Sequence, residues 1–162
     1  MSKVPHIPKG YQTITPYLIV NGAARAIEFY TKALGAKQVE RVEGPNGTVM
    51  HAELQIGDSR IMLADEMPEM GYRSATSIGA SPISLYVYLP DCDSVIKQAV
   101  AEGAELKRPI EDQFYGDRNG TIQDPFGHVW TIATHVEDVS KEEMERRMKD
   151  AMEGRKKVHQ AA

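Results

Sequence analysis

This chain spells out one structural unit twice, and that duplication limits what it can fold into. Residues 13–20 alternate apolar and polar side chains and lead into a short amphipathic stretch that stops at Leu34-Gly35-Ala36. Two further alternating runs follow, and the first half closes on Gly57-Asp58-Ser59-Arg60-Ile61-Met62-Leu63. The order then restarts. Residues 83–89 alternate, a second amphipathic stretch stops at Glu102-Gly103-Ala104, and the half closes on Asp124-Pro125-Phe126-Gly127-His128-Val129-Trp130-Thr131-Ile132. Each half reads as strand, helix and three strands, with matching positions about 67–68 residues apart. The expected fold is α+β: two βαβββ modules, over about 12–66 and 81–136, whose curved mixed sheets enclose an open cavity with helices outside.

Helical and extended periods locate the elements. Ile27, Tyr30 and Leu34 recur at i, i+3 and i+7, with Gly35 as the stop. Val95, Ile96, Ala99 and Val100 mark the second helix, with Asp91 or Asp93 as cap and Gly103 as stop. Pro45-Asn46-Gly47 signals a hairpin, and Asp124-Pro125-Phe126-Gly127 a tight turn. Residues 113–120 read as a polar loop and 65–82 as a long connection. Residues 1–11, with Pro5 and Pro8, read as a flexible arm ahead of a single domain over 12–139. Ser140 and Glu143 form a capping box opening a final helix over 140–154; it carries Met144, Met148 and Met152 at i, i+4 and i+8, Gly154 is its stop, and 155–162 form a flexible tail. Phe29 and Trp130 read as core residues.

Charge and cysteine usage remove several function classes. A net charge of -4 offers no basic face for nucleic acid or an anionic membrane. No apolar run approaches the ~20 residues of a membrane span. The opening residues lack a signal peptide's apolar region, and the single cysteine excludes an internal disulfide, so a reducing cytoplasm is expected. Cys92 sits between Asp91 and Asp93, which disfavours a thiolate nucleophile.

Strand parity nominates the functional side chains. In residues 48–56, Met50, Ala52, Leu54 and Ile56 share one face, and Val49, His51, Glu53 and Gln55 the other. His51 and Glu53 fit either an acid–base pair in a cavity or a buried polar pair fixing the sheet. Tyr17, Tyr86 and Tyr88 face the same way by the same rule and would line a pocket for a flat or amphipathic ligand, or simply pack the sheet. Thr131 and Met62 belong to that face. Gln113, Tyr115 and Arg118 are placed at its rim, with Asp117 and Arg118 either orienting a ligand or pairing with each other.

These residues resemble the vicinal oxygen chelate superfamily, which includes glyoxalase I, extradiol dioxygenases and bleomycin-resistance proteins. The resemblance rests on Ile14-Thr15-Pro16-Tyr17-Leu18, Ala26-Ile27-Glu28-Phe29-Tyr30, Leu34-Gly35-Ala36 and Asp124-Pro125-Phe126-Gly127-His128. Met50-His51-Ala52-Glu53-Leu54, Ile56-Gly57-Asp58-Ser59, Ile61-Met62-Leu63-Ala64-Asp65, Asp112-Gln113 and Tyr115-Gly116-Asp117-Arg118 look like its PhnB-like branch. The resemblance implies four metal positions on the inner sheet face. In this sequence they fall on Thr15, Met62, Pro82 or a neighbour, and Thr131, none a usual ligand for a divalent ion. No metal or other cofactor is therefore expected. The leading reading is a small-molecule-binding protein without the metal. The alternative is an enzyme of lyase or isomerase type using His51 and Glu53, or relocated metal ligands; a third reading is an interaction protein with a vestigial cavity. The resemblance also implies a homodimer; the methionine stripe needs a partner surface, which is either the second subunit or the chain's own sheet.

Overall fold

The computed structural model describes residues 4–160, and side chains as far as residue 151. The first module comprises β1 (Tyr17–Val20), α1 (Ala23–Leu34), β2 (Lys37–Glu43), β3 (Val49–Ile56) and β4 (Ser59–Asp65). A short helix α2 (Ala75–Ile78) interrupts the connection. The second module comprises β5 (Ser84–Tyr88), α3 (Cys92–Ala101), β6 (Glu105–Asp112), β7 (Asp117–Gln123) and β8 (Val129–His135), and α4 (Lys141–Gln160) follows.

The two sheets have the same topology. Their orders are β1-β4-β3-β2 and β5-β8-β7-β6, so the duplicated pattern folds into duplicated sheets. In each, the first strand lies parallel to the last and the remaining pairs are antiparallel. The register sets Tyr17 beside Met62 and Met62 beside Glu53; the same places in the second sheet hold Tyr86, Thr131 and Thr121. β1 and β5 are both edge strands.

One core serves both modules. The apolar stripe of α1, including Ala26, Ile27, Tyr30 and Leu34, is buried, as are Cys92, Ile96 and Ala99 of α3. The two helices touch each other, and their residues join the helix-side residues of both sheets in a single buried cluster. Tyr30 of the first module packs against Trp130 of the second with ring centroids 5.5 Å apart. Gly35 ends α1 with φ at +65°, in the left-handed region that glycine enters without steric cost, and its N–H returns to the carbonyl of Tyr30.

Several sequence expectations shift. Met50, expected in the core, is 44% exposed, whereas Val49 is fully buried. Between Val42 and Glu43 the register advances two residues on β3 for one on β2, so Met50 is the extra residue of a β-bulge and Val49 takes the core position. By alternation along residues 13–20, Ile14 shares the face of Leu18 and Val20, which are buried, but it lies before β1 and is 82% exposed. Residues 117–120, read as loop, belong to β7. Ser140 caps α4 by accepting from the Glu143 N–H at 3.2 Å, but the helix continues through Gly154 to Gln160. A glycine inside a helix costs only about 1 kcal/mol, too little by itself to stop it. The side chain of Met152 and residues 161–162 lie outside the described residues. No helix among the described residues is long and apolar enough to cross a membrane.

The N-terminal arm lies against the first sheet. Its backbone turns through a Tyr11 N–H to Pro8 carbonyl bond of 3.1 Å, and the Arg60 guanidinium lies 4.6 Å from the centre of the Tyr11 ring.

Candidate functional site

The helix-free face of each sheet carries a polar cluster. On the first, the Tyr17 hydroxyl lies 3.1 Å from His51 Nδ1, and His51 Nε2 lies 3.5 Å from Glu53 Oε1. These contacts are satisfied together when Tyr17 donates to Nδ1 and the Nε2–H points at Glu53. Arg60 Nη1 donates to the other Glu53 oxygen at 3.0 Å. Glu53 is buried, yet its pKa lies below the usual carboxylate value, because bonds from Tyr11, His51 and Arg60 outweigh the cost of burial. It is therefore a fixed anion that orients His51. Burial raises the pKa of the Tyr17 phenol, which stays protonated at neutral pH. Glu53, Met62 and Thr15 share a cavity of about 500 Å³ with arm residues that include Ile7 and Tyr11.

The second cluster is organised by Asp117, only 3% exposed. Its Oδ2 accepts from the Tyr86 and Tyr88 hydroxyls at 3.0 and 2.9 Å, and its Oδ1 lies 2.8 Å from His135 Nδ1. Asn119 donates to the Tyr86 and Tyr115 hydroxyls at 3.1 and 2.9 Å. Burial pushes the Asp117 pKa up, but the bonds from His135, Tyr88 and Tyr86 more than offset it and hold the group below its ordinary value. His135 is raised by Asp117 and by Asp138, whose carboxylate lies 3.0 Å from Nε2. The stabilisation from this pairing is complete below the unfolded-state histidine pKa and disappears as pH rises through the higher folded-state value. Thr121 and Thr131 share a hydroxyl bond of 3.1 Å. Tyr86, Gln113, Tyr115, Asn119 and Thr131 line a cavity of about 490 Å³.

The sequence-nominated residues thus fall into two sets. Tyr17, His51, Glu53 and Met62 belong to the first face, and Tyr86, Tyr88, Gln113, Tyr115 and Thr131 to the second. A groove of about 620 Å³, lined by Ile14, Pro16, Arg60, Tyr86, Tyr88 and Trp130, joins the margins of the two modules. Arg118 is at neither rim. It follows Asp117 along β7, so alternation turns it to the helix-covered side, where its guanidinium binds Asp93 at 2.7 and 2.8 Å and Asp112 at 3.0 Å. Asp117 and Arg118 do not pair with each other. Asp117, offered by the sequence as a loop residue that orients a ligand or pairs with Arg118, is a strand residue at the centre of this cluster, and Asn119, His135, Tyr11 and Arg60 are site residues that sequence reasoning misses. Extending the parity of Thr121 backwards through Asn119 to Asp117 supplies the missing signal for those two.

Comparison with known proteins identifies the family. Residues 7–132 match the model of the Glyoxalase/Bleomycin resistance protein/Dioxygenase superfamily. The chain belongs to this superfamily. Mb0911c of Mycobacterium bovis is 38% identical over 144 residues, covering 87% of this chain and 95% of that protein. Among solved structures of this fold, PA1353 from Pseudomonas aeruginosa is similar with a TM-score of 0.62 and 25% identity, covering 76% of this chain and 98% of that one. A Bacillus cereus structure described as a putative 3-demethylubiquinone-9 3-methyltransferase, PhnB protein, has a TM-score of 0.58 and 21% identity, covering 76% and 99%. The last likeness is one of fold alone.

The metal-using members of the superfamily hold a divalent ion, and the residues here do not fit one. Thr15 and Met62 border the first cavity and Thr131 the second; none supplies an imidazole or carboxylate. Among the described residues no group of three or more His, Cys, Asp and Glu side chains is placed to hold an ion. Arg60 already occupies one oxygen of Glu53, the carboxylate bordering the first cavity.

Proposed function

We propose that this protein is a metal-independent small-molecule-binding member of the superfamily, of its PhnB-like branch, acting in the cytoplasm. The supporting observation is the second face. The Tyr86 and Tyr115 hydroxyls are fixed by Asp117 and Asn119 at the wall of a cavity of about 490 Å³, within the size range of ligand sites, and Asp117 also fixes the Tyr88 hydroxyl beside the adjoining groove. Part-buried hydrogen bonds hold these rings before any ligand arrives, which lowers the ordering cost of binding. The lone cysteine is buried, in keeping with a reducing compartment.

A second reading is supported by the Tyr17–His51–Glu53 chain: general acid–base chemistry on the first face, with His51 as the proton-moving group. Glu53 then orients the imidazole, and the Tyr17 hydroxyl, half exposed, is the proton donor or acceptor on its other nitrogen. One screen tests both readings. Small organic compounds added to the chelator-treated protein are expected to raise its melting temperature and to perturb the resonances of Tyr86, Tyr88 and Tyr115. The binding reading fails if every stabilising compound requires added Zn, Ni, Mn or Fe. His51→Ala is expected to change stability by no more than about 1–2 kcal/mol. If the acid–base reading holds, it abolishes turnover of any compound the wild type converts; undiminished turnover rules that reading out.

We also propose a homodimer. β1 and β5 each leave one edge unpaired, and the neighbouring Ile14 and Ile83 are exposed isoleucines at matching places before them. Light scattering at micromolar concentration is expected to give the mass of two chains; a mass near 18.0 kDa, that of one chain, would exclude it.

A further inference from the structure

We propose that the Tyr86–Tyr88 end of the second face seats an organic cation, an alkylated ammonium group held against two phenol rings above the carboxylate of Asp117. The inference rests on the small-molecule-binding reading and narrows it to a ligand class. Each phenol has one hydrogen to give, and both are spent on the same carboxylate oxygen, Asp117 Oδ2. Outward, the two residues offer only oxygen lone pairs and the electron-rich faces of their rings. The rings stand 5.1 Å apart and are inclined at 45°, and the residues are 48% and 59% exposed, so the notch between them opens to solvent.

An ammonium group suits such a notch, because the ring quadrupoles attract it and a carboxylate lies behind them. An anion meets a buried negative charge and phenols with no hydrogen left to donate. The charged groups around the notch support this sign. Asp117 and Asp138 are anionic and flank His135, whose pKa they raise, and on the Tyr86 side the cavity wall carries one charge of each sign, Arg108 and Glu111. Arg60 borders the same groove, but Glu53 binds its guanidinium and the Tyr11 ring covers one face. Arg118 lies on the other side of the sheet with Asp93 and Asp112. The notch therefore combines an anchored aromatic pair with a neighbouring negative charge.

Choline and its uncharged isostere 3,3-dimethylbutan-1-ol separate charge from shape. Titrated into the full-length protein, choline chloride is expected to saturate with shifts at the Tyr86 and Tyr88 resonances, binding at least about tenfold more tightly than the isostere. Tyr88→Leu, a change at an exposed ring, is expected to weaken choline binding by about tenfold or more while the protein stays folded. Asp117→Asn, which removes the charge, is expected to weaken it similarly. Equal binding of choline and the isostere, unchanged choline binding in Tyr88→Leu, or no saturation by choline overturns the proposal. If uncharged compounds from the screen still shift Tyr86 and Tyr88, only the cation assignment falls; if no compound shifts them, the binding reading falls with it.

Discussion

Replacing Asp124 by alanine is expected to lower the free energy of unfolding by about 3–5 kcal/mol, because several buried donors lose their acceptor at about 1–3 kcal/mol each. Asp124 is buried and all its bonding capacity is used. Its Oδ2 accepts from the Tyr30 hydroxyl at 2.7 Å and from Trp130 Nε1 at 2.8 Å, and its Oδ1 accepts the Phe126 and His128 N–H groups at 2.9 Å. Tyr30 belongs to the first module and the other three to the second, so one carboxylate pins the modules together. Burial foremost, and then the neighbouring carboxylate, raise the Tyr30 pKa well above its ordinary value, so the phenol remains a donor. In the alanine variant, the Tyr30 hydroxyl and Trp130 N–H are left buried without that acceptor. Urea unfolding at fixed protein concentration measures the loss, and a change below about 1 kcal/mol would contradict this account.

Asp65→Ala is expected to cost about 2–4 kcal/mol, more than an ordinary helix cap, because three backbone donors lose one acceptor. Gly22 precedes α1 with φ at +97° and has no side chain with which to cap it. Asp65, at the end of β4, does so instead: Oδ1 accepts the Gly22 and Ala23 N–H groups at 2.9 and 2.7 Å, and Oδ2 accepts the Val49 N–H at 2.8 Å. Ala23 and Val49 are fully buried, so water cannot substitute without local opening. Faster amide exchange at Ala23 and Val49 should accompany the lower stability. Unchanged protection at both positions would show that the carboxylate does not cap the helix.

The duplicated architecture was legible because it depends on short-range periods. Alternation in the strands and the glycine stops at Gly35 and Gly103 require no knowledge of distant partners. The same rule placed Tyr17, His51 and Glu53 together on one face, and Tyr86, Tyr88 and Thr131 on another. It did not show that these faces border different cavities, because parity sets a residue's side of its sheet but not how two sheets stand relative to each other. It failed at Met50, where the bulge inserts a residue and resets the count. The polarity of residues 117–120 masks a strand, so Asn119 is missed and Asp117 is read as a loop residue paired with Arg118 or a ligand and not as the strand residue that anchors two tyrosines. Asp65 and Asp124 were hidden for a different reason. A carboxylate that satisfies donors from other elements has no local period, and only the folded chain reveals its partners.

The placement of the arm has a consequence for affinity. Tyr11 already engages Glu53 and Arg60, so it acts as a tethered competitor for the floor of the first face. A molecule that binds there must either accept the tyrosine as part of its wall or displace it. In the second case its apparent dissociation constant rises in inverse proportion to the fraction of chains with the floor uncovered. A substitution at Tyr11 changes that fraction without altering a single residue of the sheet face itself.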